Sequence, residues 1–95
     1  MKEYYVYILE CSDQTYYTGI TSDLNKRIKQ HCSGYDKQAY TYRRRPLKLM
    51  YFTTFSEVGI AIEFEKRIKK WSRKKKEALI ASEYDKLPNL SKKKF

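Results

Sequence analysis

Tyr4-Tyr5-Val6-Tyr7-Ile8-Leu9-Glu10-Cys11, Ser12-Asp13-Gln14, then Tyr16-Tyr17-Thr18-Gly19-Ile20-Thr21 is an apolar and aromatic run, a polar interruption and a second such run. The first run favours β-structure throughout, as expected for a strand with both faces partly covered. Ser12-Asp13-Gln14 is turn chemistry, because short polar side chains bond their own backbone. The second run then folds back antiparallel to the first. This hairpin places Tyr7 and Tyr17 on adjacent strands, with Gly19 just behind the second tyrosine.

Thr21-Ser22-Asp23 supplies N-cap side chains for a helix that runs to about Cys32 and stops near Gly34. Residues 35–46 show no period and form a basic, tyrosine-rich loop. Leu47 to Phe55 alternates as a third strand, with Leu47, Leu49, Tyr51 and Phe55 on one side and Lys48, Met50 and Phe52 on the other. Ser56 is positioned to cap a second helix reaching about Lys70. A third helix is expected from Ser72-Arg73 to about Asp85, with Pro88 ending the ordered part and Ser91 to Phe95 forming a basic tail. The order ββαβαα fits an α+β fold, a small three-stranded antiparallel sheet flanked by helices. Residues 1–85 are expected to form a single domain and residues 86–95 a basic C-terminal tail.

A chain of 95 residues buries a modest core, and its hydrophobic share of 41% is that of a folded globule rather than a disordered chain. Its 21 Lys and Arg against 11 Asp and Glu give a formal charge of +10. That excess favours a polyanionic partner, nucleic acid before an anionic membrane surface, since no segment joins a long apolar face to a basic one. No run approaches the roughly 20 apolar residues of a membrane span, and the opening residues lack a signal-peptide pattern. Cys11 and Cys32 sit in no metal or redox spacing and read as small core-filling residues of a reducing compartment. A cytoplasmic location is expected.

The second helix carries the first chemical anomaly. At 100° per residue, Val58, Ala61, Ile62, Phe64, Ile68 and Trp71 form an apolar arc, and Glu65 falls inside it. Glu63 falls instead among Lys66, Arg67 and Lys70 on the wet face. A carboxylate on a core-facing side costs several kcal/mol, on the order of a buried unpaired charge, unless a cation, a metal ion or a rim position compensates it. The first helix is similar. Leu24 and Ile28 mark its buried stripe, and Arg27 and His31, four residues apart, flank it. Arginine offers a fixed fork of donors to a phosphate, and histidine exchanges protons near neutral pH. Plainer readings exist for each group. Glu65 and Arg27 could form an ion pair that tethers helices, His31 could end a helix against backbone, and the tyrosines could be sheet packing in a chain that has ten of them.

Taken in order, Tyr7, Tyr17-Thr18-Gly19, Arg27, His31 and Glu65 resemble the active-site pattern of the GIY-YIG nucleases. The resemblance extends from Tyr4 to about Ile80 and is close to small stand-alone bacterial members. It is carried also by Arg27-Ile28-Lys29-Gln30-His31, by Ala61 to Lys69 and by Trp71 to Ile80. The first motif reads Tyr5-Val6-Tyr7 and the second Tyr17-Thr18-Gly19, so both keep their tyrosine. The resemblance implies metal-dependent hydrolysis of phosphodiester bonds in DNA, branched or damaged DNA included. It implies Glu65 as the protein's ligand to one Mg²⁺ or Mn²⁺ ion, completed by water and phosphate oxygens. Tyr17 would then position or deprotonate the attacking water. A phenol ordinarily titrates near 10, so this role needs a neighbouring cation or metal hydroxide. Tyr7 would support Tyr17, Arg27 would stabilise charge growing on the phosphate, His31 would relay a proton or bind phosphate, and Gly19 would let the backbone pass close.

Binding is expected from the remaining charge. Arg43, Arg44 and Arg45, with Tyr40 and Tyr42 beside them, suit a nucleic-acid backbone and its bases, and Lys69, Lys70, Arg73 and Lys74 extend that surface. No sequence-reading module is visible, so little sequence specificity is expected. The rival reading is a DNA- or RNA-binding protein that keeps the fold without cleaving, and a further one is an adaptor whose basic face binds an acidic protein.

Overall fold

In the computed structural model, which describes residues 2–81, the elements follow the expected order. They are β1 (Tyr4–Glu10), β2 (Tyr16–Thr21), α1 (Leu24–Ser33), β3 (Lys48–Phe55), α2 (Val58–Lys69) and α3 (Arg73–Ile80). The strands form one antiparallel sheet in the order β2-β1-β3, so the most apolar strand is central. Val6, Tyr7, Ile8 and Leu9 are all buried, which explains why β1 reads as a continuous apolar run rather than an alternating one. The expected extension of the last helix to Asp85, the stop at Pro88 and the tail 86–95 lie outside the described residues.

One face of the sheet carries the core. Val6 and Ile8 meet Ala61 and Ile68 of α2, Trp71, and Ala78 and Leu79 of α3, with Tyr4, Tyr16, Ile20, Tyr51 and Phe55 packed around them. The other face presents Tyr5, Tyr7 and Leu9, and through the pairs Leu9 with Tyr17 and Tyr7 with Gly19 it becomes the face of the site.

Local signals explain most boundaries. Asp23 caps α1 by accepting the Lys26 N–H at 3.1 Å, and Gly34 ends the helix at φ +74, where its N–H reaches back to His31 O. Ser72 caps α3 by accepting the Lys75 N–H at 3.2 Å. The hairpin turn closes with the Cys11 N–H donating to Thr15 O at 2.9 Å, Gln14 in the left-handed region at φ +69, and Asp13 accepting from the Thr15 N–H and hydroxyl.

The structure corrects five local expectations. Met50 is an extra residue opposite the step from Ile8 to Leu9, because Ile8 pairs with Tyr51 but Leu9 with Leu49. This bulge reverses the alternation, so Leu49 shares a face with Phe52 rather than with Tyr51 and Phe55. Ser56 does not cap α2; Glu57 holds that position, and no side chain bonds to the helix end. The buried stripe of α2 is narrower than the apolar arc, since Val58 and Ile62 are exposed and the helix is covered along Ala61, Glu65 and Ile68. On α1, Leu24 and Ile28 are only half-buried, and His31 is the buried member. Cys11 is buried, but Cys32 is exposed on α1 and fills no core.

Two neighbouring residues on β2 make opposite predictions. A methyl group at Gly19 would lie 2.5 Å from Cζ of the fully buried Tyr7 ring. Gly19→Ala should therefore destabilise the domain by roughly 1–3 kcal/mol through overpacking. Thr18 faces the helix-covered side, and its buried hydroxyl has no hydrogen-bond partner. Thr18→Val, which keeps the shape and removes the stranded oxygen, should raise stability by about 1 kcal/mol. Urea unfolding of both variants checks the pair; equal losses from both would contradict this account of β2.

Candidate active site

The site is built around the Tyr7 side chain. The absence of a Cβ at Gly19 lets the ring of Tyr7 lie across β2, which carries its hydroxyl out to α1. There it meets His31 Nε2 at 3.0 Å in a buried contact. The other ring nitrogen, His31 Nδ1, lies 2.9 Å from the hydroxyl of Thr41, itself 1% exposed. The rings of Tyr7, Tyr17 and His31 form a triangle, with centroids 6.4 Å apart for the two tyrosines, 6.0 Å for Tyr7 and His31, and 5.3 Å for Tyr17 and His31, the last edge-on.

Electrostatics ties the remaining groups to the same hydroxyl. Burial pushes the Tyr7 phenol well above its ordinary range, and negative charge on Tyr17 and Glu65 would push it further. The Arg27 guanidinium opposes this by its charge and by its N–H groups beside the phenol. Tyr7 thus remains a hydrogen-bond donor at neutral pH. Burial lowers the pKa of His31 below 6.5, and the charge of Arg27 adds to that, so the imidazole is held neutral. Both its nitrogens are engaged, Nε2 with Tyr7 and Nδ1 with Thr41.

Glu65 is 8% exposed on the buried side of α2 and close enough to Tyr7 for its charge to be felt there. Its carboxylate pairs with Lys69 one turn later at 3.0 Å, and the Lys69 side chain is 55% exposed. The ion pair therefore opens to solvent on its Lys69 side only. No group of three or more His, Cys, Asp and Glu side chains gathers as a metal cage among the described residues. A lone, nearly buried carboxylate with a displaceable partner matches a hard cation that keeps most of its shell as water and phosphate oxygens.

A cleft of about 270 Å³ opens beside the triangle, lined by Tyr17, Arg27, Gln30, His31, Tyr35 and Tyr42 among others. Arg27 is exposed at this opening and Tyr17 is half-buried. The wall comes from the loop 35–46, which contains a short 3₁₀ helix at Tyr42–Arg44. That loop is fastened to the hairpin. Arg44 Nε donates to Asp13 at 3.1 Å, the Ser12 N–H donates to Arg44 O at 2.8 Å, and the Tyr40 hydroxyl donates to Thr15 Oγ1 at 3.1 Å. The Tyr40 ring stacks on Tyr17 at 5.9 Å and carries the Arg44 guanidinium over it at 3.8 Å.

This placement divides the basic and aromatic residues expected to bind nucleic acid. Arg44 and Tyr40 support Tyr17 from behind. Arg45 folds over Tyr42 at 4.5 Å and donates to its carbonyl. Arg73 is committed to the fold: it binds the Gln14 carbonyl and Glu77, approaches Glu10 at 3.9 Å and covers Tyr16. Lys69 holds Glu65. Arg43, Lys70 and Lys74 are exposed. Sequence reasoning missed Thr41 and Asp13, which act through other residues. Neither sits in a periodic segment, and only turn chemistry marked Asp13.

Residues 3–78 match the family model described as the GIY-YIG catalytic domain. The chain belongs to the GIY-YIG family. Similar proteins include a UPF0213 protein of Syntrophus aciditrophicus, 45% identical over 84% of this chain and 92% of its own length. Another, from Clostridium perfringens, is 46% identical over 93% of this chain and 94% of its own. The fold resembles the solution NMR structure of the UPF0213 protein BH0048 from Bacillus halodurans, with a TM-score of 0.55 at 45% identity and 83% coverage of each chain. It also resembles that of EF2693 from E. faecalis, with a TM-score of 0.61 at 31% identity and 88% coverage of each. The α+β architecture is that of this family. No helix of the described residues is long and apolar enough to cross a membrane.

The neutral, buried His31 sets a pH dependence of stability. Its folded pKa lies below the ordinary 6.5, so as pH falls through that value the unfolded chain takes up a proton that the folded chain refuses. The stabilising contribution is complete above 6.5 and is lost progressively below it. Urea midpoints measured at about pH 7.5 and about pH 5.5 should therefore fall more steeply for the wild type than for His31→Gln. Identical slopes would contradict the buried neutral imidazole.

Proposed function

We propose that this protein is a metal-dependent endonuclease that hydrolyses phosphodiester bonds in DNA, branched or damaged DNA included, with little sequence specificity. The observation that carries this reading is the gathering of the Tyr7, Tyr17 and His31 rings beside a cleft that Tyr17, Arg27 and His31 line, with the nearly buried Glu65 carboxylate on the covered side of α2. Membership of the GIY-YIG family supports the same class of activity.

Burial and position support the roles that the family resemblance implies. Arg27, exposed at the cleft, binds the scissile phosphate and stabilises the charge that grows on it. Tyr17, half-buried at the same opening, orients the attacking water and takes part in removing its proton. Tyr7, kept protonated, holds the arrangement through its hydrogen bond with His31. Glu65 would hold one Mg²⁺ or Mn²⁺ ion, with Lys69 turning out to water. Such an ion supplies Lewis-acid stabilisation of the phosphoryl oxygen and the leaving group. Arg43, Lys70 and Lys74 contribute to the sequence-independent grip on the DNA backbone.

One observation favours the rival reading of a non-catalytic nucleic-acid-binding protein: the Glu65 carboxylate is already engaged by Lys69. Nicking of supercoiled and branched DNA with Mg²⁺ or Mn²⁺ separates the two. Endonuclease activity should depend on the ion and fall by roughly 10²–10⁴-fold in Tyr17→Phe and in Glu65→Ala, while DNA binding persists. Binding should weaken steeply with added salt, as phosphate contacts release counterions. Binding without any metal-dependent cleavage would establish the rival, and cleavage undiminished in both variants would show that the activity belongs to something else.

A further inference from the structure

We propose that the outer flank of α1 carries the DNA backbone away from the cleft, with Lys26 and Lys29 binding the phosphates that flank the one at Arg27, and Gln30 donating between them. The inference deepens the nuclease reading and rests on it for placing the scissile phosphate at Arg27. Helical period lays out the path. Arg27 borders the cleft, Gln30 lies about 60° round the helix from it, Lys26 about 40° further and Lys29 about 60° beyond that. Successive members of this path are three or four residues apart in the chain, the spacing at which helical side chains meet. The hollows of the surface follow the same line. Arg27 and Gln30 border the cleft, a hollow at the start of α1 shares both and adds Lys26, and a third shares Lys26 and Gln30 and adds Lys29 and Ser33.

The groups on this path are free to meet a ligand. Lys26 and Lys29 are exposed and form no ion pair among the described residues, whereas Arg44, Lys69 and Arg73 are each held by an acid. Gln30 is half-buried, and its side-chain amide bonds to no described residue; only its carbonyl is used, in closing the end of α1. An amide donor set between cations suits successive phosphate oxygens, which accept from glutamine as well as from lysine. Two carboxylates border the path, and each is tied to backbone. Asp23 accepts the Lys26 N–H at 3.1 Å and Asp36 accepts the Gln38 N–H at 3.0 Å. Asp23 precedes α1 and Asp36 follows it, so the cations lie between the two repulsive ends. Continuity with the cleft favours DNA over an acidic protein, because a scissile phosphate and its neighbours belong to one backbone.

The test reads binding rather than cleavage. A fluorescently labelled DNA duplex is titrated with the full chain in EDTA at several salt concentrations, and anisotropy gives Kd. Lys26→Gln and Lys29→Gln should each weaken binding at low salt by roughly 3–10-fold and lower the slope of log Kd against log salt by about 0.9, the share of one phosphate contact. Gln30→Ala should weaken binding by roughly threefold and leave the slope as it is, since no charge is removed. Lys48→Gln removes the same charge from β3, at the opposite edge of the sheet from β2, and should leave the slope unchanged. Wild-type slopes in both α1 lysine variants would overturn the proposal. An equal loss in Lys48→Gln would also overturn it, by showing that net charge alone is read. So would competition by polyglutamate as effective as that by unlabelled DNA. If the wild type binds with these slopes yet nicks no DNA with Mg²⁺ or Mn²⁺, the nuclease reading fails and the α1 path stands as a binding surface.

Discussion

The structure depends on one close approach: the ring of Tyr7 lies over the backbone at Gly19, in space that any other residue would fill with a side chain. This contact does two things at once. It buries a whole tyrosine ring within β1, and it carries a phenolic hydroxyl across the edge strand to the helix that follows. Had position 19 carried a Cβ, the Tyr7 ring and hydroxyl would have to move out of this place. The 3.0 Å contact of the Tyr7 hydroxyl with His31 depends on that place being free. The pairing of Tyr7 with Gly19 in the hairpin register makes this approach a consequence of the fold rather than of a flexible loop.

Around that contact the chain spends polar groups in two layers. The inner layer is Tyr7, His31 and Thr41, three buried groups satisfied by one another. Such a network is worth keeping only when each member is paired, because an unpaired donor in a dry site costs about 1–3 kcal/mol. The outer layer is Asp13, Arg44 and Tyr40, which bind the hairpin turn to the 35–46 loop and back the ring of Tyr17. The arginines of this segment thereby divide their work. Arg44 and Arg45 cover aromatic rings, whereas Arg43 faces solvent. A formal charge of +10 says that a polyanion is the natural partner, but it does not say which cations are free to meet it.

Much of this was legible in the sequence because the elements announce themselves locally. The apolar run of β1, the turn at Ser12-Asp13-Gln14, the cap at Asp23 and the stop at Gly34 all lie where side-chain chemistry puts them. The inward position of Glu65 was legible from helical period alone, since Ala61 and Ile68 flank it on the buried stripe. Other features had no such mark. One extra residue at Met50 reverses the faces of β3 without changing its composition, and an alternation count cannot see it. Val58 and Ile62 look like core on a wheel, yet α2 is covered along a stripe too narrow to include them. Thr41 is hidden in a segment without a period, and its partner, ten residues earlier, is on a different element. The role of Arg73 depends on a carbonyl of the distant hairpin turn, which no local pattern encodes.

The central claim is that the helix carboxylate and the tyrosine–histidine cluster form one site, although they come from opposite ends of the domain's sequence. Paramagnetic broadening by substoichiometric Mn²⁺, read on the side-chain signals of Glu65, Tyr7, Tyr17 and His31, measures that directly. The account predicts that broadening is strongest at Glu65, extends to the three ring systems, and disappears in Glu65→Gln. Broadening centred on another part of the surface, or persisting unchanged in Glu65→Gln, would contradict it.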